Sequence, residues 1–211
     1  MLHIPAHFSE TRPDALRAVI EAYPFAWLIA PGEGPLPNLS PAPLLYQPVP
    51  GGLGKLIGHL AVTNPVAIAI GRGTPVAALF LGPHAYVSVQ WYQHARNVPT
   101  WNHLEVACTC QGRLLETEIE TYAAIDRLVR HYEGDAWRLA DQPEGYIRGL
   151  MKGIWAFELT ILAWEGHFKL SQNKPDTERE RIVAQYHASP DTQANALAHW
   201  MVRHHPPPTQ G

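Results

Sequence analysis

The chain reads as a mainly β, α+β protein: an antiparallel barrel with peripheral helices. Three observations predict this. Twenty prolines and sixteen glycines interrupt the 211 residues often, which favours many short strands over a helical bundle. The apolar runs between these interruptions make about six to eight short strands, and turns this short cannot join parallel neighbours. Helical periodicity is confined to the start of the chain, one long insertion and the end.

Thr11-Arg12-Pro13-Asp14 opens a first helix, with Thr11 as cap, Pro13 in the first turn and an acid near the positive dipole end. Leu16, Val19, Ile20 and Tyr23 mark its apolar stripe. Phe25 to Ala30 is a short buried strand, and Pro31 to Pro35 its turn. A second strand is predicted over Ala42 to Gln47, and a Gly-rich hairpin at Pro50 to Gly54 leads into Lys55 to Leu60. Asn64-Pro65 stops local structure. From Val66 the text is strand, turn, strand: AIAIG, then PVAALFLG, then AYVSVQWY. Leu104 to Leu115 alternates plainly. Thr117-x-x-Glu120 is a capping box for a helix that stops at Gly134. A helix over Pro143 to Lys152, a strand over Ile154 to Leu162 and a helix over Thr177 to Tyr186 complete a domain of residues 1–187. Residues 188–211 form a C-terminal extension: a helix from Thr192 to Arg203, then a disordered tail from His204-His205.

Composition excludes several function classes. Net charge is −3, and basic residues do not cluster beyond the mixed stretch Glu178 to Arg181, so direct binding to DNA is not expected. No run reaches the roughly eighteen apolar residues of a membrane span. MLHIPAHFSET lacks a basic start and an apolar signal core, which predicts a cytoplasmic protein. Cys108 and Cys110, two residues apart on a strand, point to one face as buried small hydrophobes.

Two stretches carry chemistry. Phe80 to His103, FLGPHAYVSVQWYQHARNVPTWNH, packs rings, small hydroxyls and an amide between Gly-Pro and Val-Pro turns. Rings supply area and stacking, while hydroxyls and amides supply orientation, so this composition suits a flat, half-polar ligand slot. Strand parity puts Tyr86, Ser88 and Tyr92 on one face and turns Trp91 toward the core or a dimer contact. Lys169-Leu170-Ser171-Gln172-Asn173, predicted as a loop after the last barrel strand, places a lysine beside hydroxyl and amide donors, as a phosphate requires.

These segments resemble a known family. Gly58 to Pro65 resembles its GHxAxxNP element, Phe80 to Tyr92 its FxGPxAYxSxxWY element, Val98 to Asn102 its VPTWN, and Lys169 to Asn173 its KLSQN. Together with the opening IPAHFSETRPDAL they identify a member of the PaiB-like proteins, FMN-binding negative transcriptional regulators. The resemblance implies an FMN-binding split β-barrel, related to pyridoxamine-phosphate oxidases and flavin reductases, and a homodimer with FMN at the subunit interface. It implies a cofactor site drawn from His59, Asn64, Tyr86, Ser88, Tyr92, Thr100, Trp101, Asn102, Lys169, Ser171, Gln172 and Asn173. For His59 and Asn64 the alternative is a turn-capping role. No catalytic residue is assigned, and no metal site is read into the twelve histidines. One departure stands out: Asn38 to Leu44 has no histidine where family members carry His-x-Pro.

The function so implied is that of an indirect regulator or flavin sensor. An FMN-dependent oxidoreductase on a small substrate is the alternative. A haem-binding split barrel, with His59, His84, His94 or His103 as axial ligand, is the second.

Overall fold

A computed structural model describes residues 2–93 and 96–204. His94 and the predicted tail from His205 onward lie outside the described residues. The elements are β1 (Ser9–Glu10), α1 (Pro13–Ala22), β2 (Phe25–Ala30), β3 (Asn38–Pro43), β4 (Leu45–Gln47), β5 (Lys55–Ala61) and α2 (Pro65–Gly71). They continue with β6 (Val76–Val87), β7 (Thr100–Leu114), α3 (Glu118–Glu133), α4 (Glu144–Met151), β8 (Ile154–Lys169), α5 (Asp176–His187) and α6 (Thr192–Arg203). Among the described residues the strands form one sheet in the order β3-β2-β6-β7-β8-β5-β4, with β1 paired to β8.

The chain divides into two compact units. One comprises residues 20–80 and 107–164. Its strands pair antiparallel, from Phe25↔Pro43 to Ala30↔Asn38 and from Lys55↔Thr160 to Ala61↔Ile154. β3 and β4 stand at opposite ends of the strand order, yet only Leu44 separates them in the chain. A sheet whose two ends are joined by one residue must curl onto itself, and Leu44 is buried inside that curl. The approach there is close: a side chain at Gly58 would strike both Leu44 and Phe157. Cys108 and Cys110 are buried free thiols on one face, and burial pushes the Cys110 thiol up to about 12.

The other unit comprises residues 1–19, 81–106 and 165–211. Here Ser9 pairs with His167 and Glu10 with Gly166. A Cβ at Gly166 would meet the Leu16 side chain at 2.3 Å and Glu10 O at 3.2 Å, so glycine eases the close approach of the N-terminal segment to β8. The helices α5 and α6 pack on one another through residues such as Ile182, Leu197 and Met201, all buried.

Several expectations change. The AIAIG segment is helix α2, not a strand, because Asn64 caps it and Pro65 occupies its first turn. Asn-Pro was legible as a stop, but it works here as a start. The stretch Ala42 to Gln47 breaks into β3 and β4 at Leu44. PVAALFLG and AYV are one strand, β6, whose burial alternation slips at Gly82-Pro83, two consecutive buried residues. β6 ends at Val87, so Ser88 and Tyr92 do not share a strand face with Tyr86. β8 runs on to Lys169, which therefore ends a strand instead of opening a loop. His204 is not tail: its side chain is packed, its ring stacked at 5.0 Å on Trp200.

Candidate functional site

The outward face of three neighbouring strands in the first-and-last-segment unit collects most of the chemistry. Side chains two residues apart share a face of a strand. β6 therefore presents His84 and Tyr86, β7 presents Trp101, His103 and Glu105, and β8 presents His167 and Lys169. Between these positions Ala85, Asn102, Leu104 and Phe168 turn inward and are buried. Tyr86 and Trp101 meet edge to face at 5.9 Å and remain 45% and 53% exposed, so they form a broad open aromatic surface. Lys169 borders it, donating a short hydrogen bond to Thr100 Oγ1 and lying 5.8 Å over the Phe8 ring. Burial lowers the lysine's pKa, which signals an ammonium partly withdrawn from water. Rings and a cation on one surface, with the cation steadied by a threonine hydroxyl, suit a planar ligand bearing an anionic group.

Beside the rings lies a histidine pair. His103 Nε2 stands 3.4 Å from His167 Nδ1 and 3.7 Å from Glu105 Oε1. The imidazoles cross nearly perpendicular, with centroids 4.5 Å apart. Burial, followed by the fields of His167, Lys169 and His84, pushes the His103 pKa down to about 4. Burial lowers His167 as well, against the opposing pull of Glu105. Sequence reasoning passed over Glu105 and His167. The His-x-Glu alternation on β7 was available as a signal, but the second histidine arrives 64 residues later and only strand pairing reveals it.

The remaining predicted residues are placed differently. Asn102 is fully buried; its Oδ1 accepts from Ser171 Oγ at 3.0 Å and its Nδ2 faces Met201 Sδ at 3.7 Å. Ser171 is the one non-glycine residue with positive φ (59°) among the described residues, and its buried hydroxyl holds that conformation through Asn102. Gln172 folds back to accept from Leu170 N–H and to donate to Phe168 O, and Asn173 is exposed. Ser88 caps a short 3-10 turn over Val89 to Trp91. Tyr92 is buried beneath the Lys174 ammonium, 5.2 Å from its ring, and its hydroxyl has no partner among the described residues. Trp91 packs edge-on against Tyr186 at 5.7 Å. Gln93 N–H donates to Glu178 on α5, and Lys174 Nζ, just before that helix, donates to Asn97 Oδ1.

His59 and Asn64 belong to the other unit. His59 is half-buried on β5 with Nδ1 unpartnered among the described residues, and burial lowers its pKa. Asn64 is committed at both ends: Oδ1 accepts from Val66 N–H and Nδ2 donates to Ser40 Oγ, each at 2.9 Å. Ser40 lies in the segment that lacks the family's histidine, so a buried hydroxyl occupies that neighbourhood. This unit also has a cavity of about 280 Å³ lined by Val62, Glu116, Glu118, Arg148, Lys152 and Trp155 among others. It includes none of the predicted residues, and Arg148 is already paired with Glu118 and Glu144.

A family model described as "Putative FMN-binding domain" matches residues 2–163. Protease synthase and sporulation protein PAI 2 of Bacillus subtilis is 25% identical over 209 residues, covering 95% of this chain and 96% of that protein. Among solved structures, a flavocytochrome from Azotobacter vinelandii superposes with a TM-score of 0.62 at 14% identity, covering 79% of this chain and 72% of that one. A FAD and heme binding protein from Mycobacterium smegmatis gives 0.59 at 17% identity, covering 84% and 80%. The antiparallel sheet with peripheral helices is thus the split barrel that the sequence motifs implied.

Proposed function

Because the chain belongs to the FMN-binding domain family whose model spans residues 2–163, we propose that it holds FMN against the outward face of β6, β7 and β8 and acts as a flavin-dependent regulator or sensor. The observation that carries this reading is the open Tyr86–Trp101 ring pair bordered by the Lys169 ammonium and the Thr100 hydroxyl. The donor set fits the cofactor. The rings offer stacking area to an isoalloxazine, and Lys169 offers a charge-assisted bond to the phosphate or to the N1–O2 edge. FMN, when bound, supplies one- and two-electron chemistry that no side chain has. The protein's own part is to orient the ring system and to hold its anionic end.

A single copy presents this face open to solvent, whereas ligand sites bury most of their ligand. A homodimer whose second copy supplies the other wall meets that requirement. The net charge of −3 supports a regulatory effect exerted without specific contact to duplex DNA by the pure protein.

Titration of FMN into the apo protein tests the site, with the Lys169→Ala variant alongside. Losing one charge-assisted bond costs about 1.5–3 kcal/mol, roughly ten- to a hundredfold in affinity, with the melting temperature almost unchanged. Equal affinities would remove Lys169 from the site. Rapid reduction of the bound flavin by NADH or NADPH in the absence of air would favour an oxidoreductase instead. A Soret band in the purified protein would replace FMN by haem.

A further inference from the structure

We propose that His103, Glu105 and His167 form a binding site for a divalent transition-metal ion on the face of β7 and β8. The site is separate in its atoms from the groups assigned to FMN. His103 and Glu105 are two residues apart on β7, so both leave the same side of the strand, and His167 comes from the neighbouring strand β8. One ligand atom from each lies within 4.8 Å of the other two. Two of the three separations are close to those of a coordination shell. Around a tetrahedral ion with bonds of about 2.0–2.1 Å, neighbouring ligand atoms stand about 3.3–3.5 Å apart. His103 Nε2 lies 3.4 Å from His167 Nδ1 and 3.7 Å from Glu105 Oε1.

In the tautomers that leave a lone pair on each of these three atoms, they repel one another unless a proton or a cation sits between them. A proton shared by the two imidazoles would satisfy that pair alone, while the Glu105 carboxylate stands close to the same ring nitrogen. A dication satisfies all three. Two imidazoles and a carboxylate select zinc or another late first-row ion over calcium or magnesium, which prefer oxygen. Three protein ligands leave an outward position open for water or a small anion. The nearby Lys169 ammonium opposes a cation, but it is directed to Thr100 Oγ1 and lies over the Phe8 ring. Strand backbones hold the ligands, so little order has to be created on binding.

Zinc titration of the purified full chain against a fluorescent chelator, with and without FMN, tests the proposal. One zinc per chain with micromolar or tighter affinity is expected. The variants His103→Gln, Glu105→Gln and His167→Gln each weaken it by about tenfold or more, since even outer-shell changes cost that much. The control is His187→Gln on α5, whose ring stands 5.2 Å from that of His199 and offers a competing surface pair; it leaves the affinity unchanged. Cobalt(II) in the wild-type protein reads the site even if a variant fails to fold, giving a spectrum of nitrogen and oxygen ligands. Failure to bind zinc, equal affinity in all three variants, or loss of binding in His187→Gln would overturn the proposal. FMN affinity measured on the wild-type chain and on Lys169→Ala keeps the two readings apart: zinc bound by a chain that takes up no FMN would count against the flavin reading alone.

Discussion

Residues that neighbour one another in the KLSQN segment do different work, and the end of β8 at Lys169 decides which. Lys169 leaves the outer face of β8, while Leu170 and Ser171 are buried. Ser171→Ala would remove the hydroxyl that donates to the buried Asn102 amide oxygen and would leave that acceptor unpaired. The expected cost is about 1–3 kcal/mol of stability, read from urea unfolding of the apo protein. FMN affinity is expected to stay within about twofold, since the hydroxyl faces inward; an affinity loss with stability unchanged would show that Ser171 touches the cofactor. The contrast with Lys169→Ala separates a motif residue that holds the fold from one that holds the ligand. The five-letter motif was legible in the sequence, but this division was not, because it depends on where β8 ends.

At the scale of the element, helix α2 shows how one dipeptide can be read in two directions. Asn-Pro disfavours continuing a helix and equally favours beginning one, since Pro lacks only an N–H that the first turn does not need. What resolves it is that Val66, Ala67, Ala69 and Ile70 are all buried, a helical set of positions that a strand would divide between two faces. Asn64→Ala is predicted to cost about 0.5–2 kcal/mol through the lost cap, and Ser40 loses its donor as well. Chemical unfolding measures the loss, and FMN binding to the folded variant is expected to match wild type. A large drop in affinity would instead assign Asn64 to the flavin. The Thr117–Glu120 capping box, by contrast, was fully legible: both reciprocal bonds form, because their partners lie three residues apart and need no tertiary help.

At the scale of the whole molecule, apolar surface remains for which one copy has no use. On the outer face of β2 and β3, Phe25, Trp27 and Leu39 are 65%, 47% and 55% exposed, and registration sets Trp27 beside Pro41 and Ile29 beside Leu39. An apolar strip of this kind favours association with a second copy. Light scattering is expected to show a dimer, and Trp27→Arg is expected to shift it toward monomer with secondary structure retained. A wild-type protein that stays monomeric at micromolar concentration would refute this.

By itself the sequence determined the strand-rich class, the Thr117–Glu120 capping box, the buried cysteine pair and the family, because each rests on neighbours within one turn or one strand, or on motifs read as text. Tertiary structure decided that Leu44 alone joins the two ends of the sheet order, and that β6 slips its alternation at Gly82-Pro83. It also decided that Tyr86, Trp101, His103, Glu105, His167 and Lys169 share one face. The physical reason is the same in each case. Periodicity states which face of a strand a side chain takes, but not which strand lies alongside it. His103 meets His167 across 64 residues of chain only because backbone hydrogen bonding sets β7 beside β8.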